Sequence, residues 1–418
     1  MRAITVATVV LAIITSACSG SSTVPAETTA LTSPFTGSPQ ASERLLAELD
    51  LERLSRPVSR LRELDFLEPV PVQIIDDVDY RRRVNELAVG QIEGSPDLQS
   101  SWLRLLGVLP PGTDLYNATS RLLQTTVAFY DHEEGRVLVR AGAGIDPYVE
   151  SAVVHEFVHA LQHQHFGRAD ALFLNGDLGY VRAALIEGDA ERVTRRFIGE
   201  LSQADEFAYE EGRLSASEDT VAIRNSTPYF VSESLFQPAE DGVRFLQGVD
   251  YTTVNGFFAD LAGSTSLPPS SEAMILPAAD LAVSDLDLPP PALPGYEGVS
   301  FEGTLGVGLL RLLVGVGLDD ELANQAVQGW QADRLNVRLS GEDVIFAYLF
   351  AGDEAADAIE LAAAFVAVLE SAQVPVGSVR VAEDQVLVLA ASDPSVEDGL
   401  DELYNTFGEE VFLVQLTG

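Results

Sequence analysis

The stretch Ser151-Ala-Val-Val-His155-Glu156-Phe-Val-His159-Ala-Leu-Gln162 decides how this chain is read. Residues four apart on a helix lie about 40° apart around its axis and one turn apart along it, so the two imidazoles face the same way. Two neutral imidazoles at that spacing make good zinc ligands. Glu156 follows the first of them and reaches an attacking water without ligating the ion, which is the place of a general base. Phe157 and Val158 inside the pattern, and Val153, Val154, Ala160 and Leu161 around it, are apolar, so the helix is expected to be mostly buried. Burying two histidines and a glutamate there without a role is costly. The blander alternative is a helix whose histidines are hydrogen-bonded in the core.

Working outward, Asp146-Pro147 supplies an N-cap and a first-turn proline, and Gly167 follows Phe166 as a stop, so the motif helix runs to about Phe166. A second long helix spans about Leu178 to Leu201. A third protein ligand has two candidates. His165 falls where the metzincin pattern H-E-x-x-H-x-x-G-x-x-H places its last histidine, but Gln162 stands where that pattern has glycine. An unbroken helix carries His165 about 240° round from His159, away from the metal. Glu187, on the following helix, resembles the gluzincin arrangement, in which a glutamate from the next helix completes the site. Glu191 lies one turn further on the same face. In gluzincins an acidic residue there, usually Asp, orients the first zinc histidine through its free ring nitrogen. Ala184 and Gly188 are small enough to let the two helices approach closely. The bland reading of this helix is an acidic surface stripe.

Upstream, Val127–Tyr130 and Arg136–Arg140 are β-prone runs joined by a turn-like Asp131-His132-Glu133-Glu134-Gly135, which predicts a hairpin. Arg136–Arg140 is the candidate edge strand for receiving an extended peptide. Val70–Ile75 predicts an edge strand because of Pro71. Glu43–Leu67 predicts helix interrupted at Pro57, and Asp79–Val89 predicts another helix. Trp102–Leu109 is largely apolar and stops at Pro110-Pro111-Gly112. His163 is expected in a surface or supporting role and His132 in solvent. Tyr180 and Tyr229 are the candidates to stabilise an oxyanion, each with packing as the plainer reading.

The N-terminus predicts a targeting segment: Arg2, an apolar run from Ala3 to Ile14, then Thr15-Ser16-Ala17-Cys18. The ending resembles the lipobox of bacterial lipoproteins, with Thr15 where a large aliphatic residue is usual. That resemblance implies acylation of Cys18. Cys18 is the only cysteine, so no internal disulfide forms. Residues 19–42 are rich in Ser, Thr, Pro, Ala and Gly and predict a flexible linker. Ser202–Ser300 is weakly patterned, with loops at Pro268-Pro269 and Pro289-Pro290-Pro291. Leu305–Val316 predicts a core helix rather than a membrane span. Val344–Phe350, Glu354–Ser371, Val379–Val381 and Gln385–Ala390 predict strand, helix, strand, strand.

Of 418 residues, 46% are hydrophobic, enough for a large core. There are 64 acidic and 25 basic residues, for a net charge of -39, and every basic residue is Arg. A nucleic-acid partner is excluded by that balance, because phosphate contacts need clustered positive charge. Without lysine, Schiff-base and lysine general-base chemistry are excluded as well.

Several pieces together resemble a group of bacterial gluzincin-like lipoproteins. These are Val127-Ala-Phe-Tyr-Asp131, His155-Glu156-Phe157-Val158-His159 with Ala160-Leu161-Gln162, Glu187-Gly-Asp-Ala190, Pro268-Pro-Ser-Ser-Glu-Ala-Met-Ile-Leu-Pro277, and Gly329-Trp330 with Asp333-Arg334. The likeness covers most of Val70–Phe365, but only the histidine motif and the glutamate helix are specific. It implies an α+β fold with a zincin-like metallopeptidase core: a mixed sheet with an active-site helix and a glutamate helix. The expected organisation is a lipoprotein signal peptide (1–18), linker (19–42), peptidase region (43–345) with a mostly helical second half, and a small α/β unit (346–418). One zinc ion is expected on His155, His159 and Glu187, with Glu156 as base, Glu191 in support and His165 as the alternative ligand. The expected partners are a peptide or protein substrate and, through the lipid on Cys18, the outer face of the cell membrane. The rival expectation is a catalytically inactive peptidase fold serving as a cell-surface binding module.

Overall fold

The structure is a computed structural model, and it describes residues 39–89, 96–167, 176–259, 261, 268, 270–276, 286–298, 300–405, 407 and 409–415. The targeting segment, Cys18, most of the linker and part of the Pro268–Pro277 stretch lie outside the described residues. The first helices are α1 (Pro39–Glu48) and α2 (Leu51–Arg62). Their break falls at Asp50, whose carboxylate caps α2 by accepting from the Arg53 N–H at 2.9 Å. Pro57 does not interrupt the helix as expected; it lies inside α2. A mid-helix proline costs about 3 kcal/mol. Burial of Leu54, Val58 and Leu61, each about 1.5–3 kcal/mol, offsets that.

Next come β1 (Val72–Ile75), α3 (Asp77–Val89), α4 (Pro96–Leu105), α5 (Leu115–Leu123), β2 (Ala128–Asp131) and β3 (Arg136–Arg140). They build a three-stranded mixed sheet in the order β1-β3-β2, with β1 parallel and β2 antiparallel to β3. The hairpin and the edge position of β1 agree with the sequence reading. The expectation for Arg136–Arg140 does not hold: β3 is the central strand, because β1 pairs with the side that would otherwise be open. Among the described residues, the edge of the hairpin that carries no further strand belongs to β2, which packs against α6.

Two long helices follow, α6 (Pro147–Phe166) and α7 (Gly176–Ile198), and then α8 (Gln203–Ser226), α9 (Tyr229–Phe245), α10 (Tyr251–Ala259) and α11 (Ser271–Ile275). The weakly patterned region is therefore mostly helical where it is described up to residue 275, in four helices. Asp146 caps α6 by accepting from the Val149 N–H at 2.9 Å, and Gly167 ends it at φ 80°, as the sequence predicts. The rest comprises β4 (Ser300–Gly303), α12 (Gly306–Val314), α13 (Asp320–Ala326), β5 (Trp330–Ser340), β6 (Asp343–Gly352), α14 (Ala355–Ala372), β7 (Val376–Ala382), β8 (Gln385–Ala391), α15 (Glu397–Tyr404) and β9 (Glu409–Gln415). Its strands form one antiparallel sheet in the order β4-β5-β6-β8-β7-β9. This corrects the expected division: a boundary after residue 345 cuts through β6, and the terminal sheet is twice the expected size because β4, β5 and β9 join it. Among the described residues no helix is long and apolar enough to cross a membrane.

The fold is thus α+β with two sheets and two main cores. One core packs β1–β3 with α2, α6 and the C-terminal half of α7, including Val154, Val158, Leu161, Ala190, Val193 and Phe197. The other packs the large sheet with α4, α9, α12, α14 and the N-terminal half of α7, including Val181, Ala184 and Leu185. Helix α7 passes from one core to the other near Glu187.

Candidate metal centre

Helix α6 is buried on nearly all sides, which fits its apolar sequence. His155 and Glu156 are buried with it, at 8% and 9% exposure. The facing helix α7 is held close by a glycine contact. A Cβ added at Gly188 would lie 2.5 Å from the Gly242 carbonyl carbon on α9, and one added at Gly242 would lie 1.8 Å from the Ala184 oxygen. Only glycines permit that crossing, and it sits beside Glu187.

Three atoms converge between α6 and α7. The Nε2 atoms of His155 and His159 are 3.1 Å apart. Glu187 Oε2 lies 3.3 Å from the first and 3.6 Å from the second. Among the described residues this is the one group of three or more metal-ligating side chains gathered within 4.8 Å. Tetrahedral ligands on bonds of about 2.0–2.1 Å stand about 3.3 Å from one another, so the spacing suits zinc. The donor set of two imidazoles and a carboxylate suits it too. Glu187 keeps its side chain 35% exposed, so the site opens to solvent on that side.

The electrostatics agree with the geometry. Burial pushes the Glu187 carboxyl up, but the imidazoles of His159 and His155 outweigh it and hold the group well below the usual carboxylate range. Burial pulls His159 down, yet the charge and hydrogen bond of Glu187 carry it up to about 9. Both shifts express one demand for positive charge between these groups, and a divalent cation meets it while displacing a proton.

Glu156 points elsewhere. Its Oε2 accepts a 2.8 Å hydrogen bond from the Tyr130 backbone N–H. In the β2–β3 register, Tyr130 is paired such that its N–H faces away from β3, toward α6. Burial raises the Glu156 carboxyl above its ordinary value, partly countered by His159 and His155. The β2 strand is thus the sheet edge that lies beside this carboxylate.

The other expected residues fall as follows. Glu191 faces the first histidine, but its Oε2 stands 3.9 Å from His155 Nδ1, beyond hydrogen-bond range, while its Oε1 accepts from Arg195 Nε at 2.7 Å. His155 Nδ1 is buried and has no hydrogen-bond partner. His165 is excluded as a ligand: its Nε2 lies 2.7 Å from the Asp65 carbonyl, tying down the chain after α2. His163 Nδ1 pairs with the Tyr130 hydroxyl at 2.8 Å. His132 is half-buried in the β2–β3 turn rather than in solvent. The Tyr180 hydroxyl is bonded to Asp241 in the buried core, and the hydroxyl of the exposed Tyr229 contacts Asp320 at 3.3 Å.

Four supporting residues were not expected. Tyr130 holds Glu156 through its backbone. Gln162 Oε1 lies 3.0 Å from His159 Nδ1. Behind it stand Asp189 and, from α2, Arg62, whose Nε donates to Asp189 Oδ2 at 2.7 Å. Gln162 and Asp189 both sit within quoted motif stretches, so their proximity to the ligands was a usable signal; Arg62 carried none.

Comparison with family models, with curated proteins and with solved structures finds no match to this chain.

Proposed function

We propose that the protein is a zinc metallopeptidase with a zincin-like core, held at the extracytoplasmic face of the membrane by a lipid on Cys18. The observation that carries the reading is the trio of His155, His159 and Glu187 at tetrahedral spacing, with Glu156 held apart from it on the β2 edge. A zinc ion on those three side chains would supply Lewis-acid polarisation of the scissile carbonyl and of the attacking water. Glu156 takes a proton from that water as its oxygen adds to the carbonyl carbon. It then delivers the proton to the amine nitrogen as the carbon–nitrogen bond breaks. A carboxyl raised by burial is a better base than an ordinary one, and the Tyr130 N–H keeps it aimed. The substrate is a peptide or protein, whose extended backbone would pass beside Glu156 and the zinc-binding trio.

The test is Glu156→Gln, assayed by zinc content and by cleavage of unfolded proteins and peptide libraries. Zinc should stay at one per chain while cleavage falls by roughly 10²–10⁴-fold. Undiminished cleavage by the variant would overturn the assignment. Zinc without cleavage in the unsubstituted protein would favour a binding module built on the same fold.

A further inference from the structure

The amide of Gln162 has a fixed orientation. Its Nε2 donates to the Ile186 carbonyl and to Asp189 Oδ2, both at 3.1 Å. Those partners are acceptors only, so the NH2 end must face them and Oε1 must face His159. An amide oxygen accepts, and the 3.0 Å contact therefore places a hydrogen on His159 Nδ1. The lone pair is left on Nε2, the atom that meets Glu187 and His155. Gln162 thus settles the tautomer that a metal ligand requires.

The support behind the amide is buried throughout. Gln162 is 5% exposed, and Asp189 and Arg62 are fully buried. Arg62 also donates to Asn255 Oδ1 at 2.8 Å, and its guanidinium lies 4.6 Å from the centre of the Tyr251 ring. Gln162 therefore does two things at once. It fixes a ligand on α6, and it registers α6 against α7 next to Glu187, since Ile186 and Asp189 flank that residue.

We infer that Gln162 is a positioning residue for metal capture, anchored through Asp189 to Arg62, so that the docking of α2 and the affinity of the site are coupled. This rests on the metal reading of the site and not on any particular substrate. The residue stands where a metzincin has its glycine, so the position is spent here on orienting the second histidine rather than on a turn.

The full chain is titrated with zinc against a competing chelator, and with Co²⁺ followed by visible absorption, alongside its hydrolytic activity. Gln162→Met should bind zinc about 10–100-fold more weakly and, at saturating Co²⁺, show an altered band shape. The double variant Arg62→Met with Asp189→Leu removes the anchor as a pair and should also bind zinc more weakly, whereas Asp189→Asn, whose one amide oxygen can accept from both Gln162 Nε2 and Arg62 Nε, should stay within a few-fold of the unsubstituted affinity. A merely structural glutamine would leave the Co²⁺ spectrum of the loaded protein unchanged. Equal zinc affinity and spectrum in Gln162→Met overturn the inference. If Gln162→Met does not fold, the double variant decides, and a folded double variant with unchanged zinc affinity and Co²⁺ spectrum overturns the inference. An unsubstituted chain that binds zinc yet cleaves nothing defeats only the peptidase reading.

Discussion

Gly242→Ala tests whether the packing of α7 sets the metal centre. The new methyl would start 1.8 Å from the Ala184 carbonyl oxygen and 2.9 Å from the Gly188 Cα, both backbone atoms that cannot rotate away. A comfortable carbon–oxygen contact is about 3.3 Å, so α7 and α9 must part locally by about 1.5 Å. Overpacking of this kind costs about 1–3 kcal/mol, and alanine returns about 0.5–1 kcal/mol of helix propensity, leaving a net loss near 1–2 kcal/mol. The displacement falls beside Glu187, whereas metal–ligand bonds tolerate about 0.2 Å. Zinc affinity should therefore drop at least about tenfold, a further 1.4 kcal/mol. Denaturant unfolding of metal-free protein reads the first effect, and chelator competition reads the second. Gly256→Ala on α10 is the control, since nothing lies within 4 Å of its added methyl. It should stabilise by up to about 1 kcal/mol and leave zinc binding alone. A Gly242→Ala protein that unfolds like the unsubstituted chain refutes the packing argument. One that is destabilised but binds zinc normally refutes the link from the α7–α9 crossing to Glu187.

Arg62→Met strands the buried Asp189 carboxylate and should cost about 3–5 kcal/mol in denaturant unfolding; a loss under 1 kcal/mol would mean that water or a neighbour replaces the guanidinium. His165→Ala removes only the contact to the Asp65 carbonyl, so zinc content should stay at one per chain with at most about 1 kcal/mol lost, and loss of zinc would restore His165 as a ligand. Burial raises Asp177 to about 7, against the hydrogen bonds from Ser271. An acid whose folded value is raised binds more protons folded than unfolded, so its contribution to stability is full below about 4 and fades as pH climbs through 7. Asp177→Asn keeps the acceptor oxygen without the charge, so it should gain on the unsubstituted protein as pH rises from about 4 to 7. Parallel stability curves over that range would contradict the assignment.

The motif helix and the meeting of His155, His159 and Glu187 were legible because their signals are local. Asp146, Pro147 and Gly167 mark the ends of α6, and helix geometry alone sets His155 against His159 and turns His165 away. Glu187 was legible as the acid on the next helix. The position of β3 was not, since it depends on parallel pairing with β1, more than 60 residues earlier, and hairpin patterning says nothing of a third strand. The large sheet was misjudged differently: β5 alternates polar and apolar residues from Arg334 to Ser340, a strand signal left unread, and its ten-residue ladder with β6 straddles the boundary drawn after residue 345. Gln162 read as a missing glycine because its meaning lies in Ile186 and Asp189 across the helix interface, and Pro57 read as a break because the packing that tolerates it is tertiary.

Helix α7 belongs to both cores, and it changes allegiance at the residue that completes the trio. Neither half of the molecule assembles the centre alone: one brings the histidines, and the other holds the crossing that aims the carboxylate. On the proposed reading, metal capture would then wait for finished folding. A chain that has formed only its first core would carry both histidines without the crossing that aims Glu187 at them.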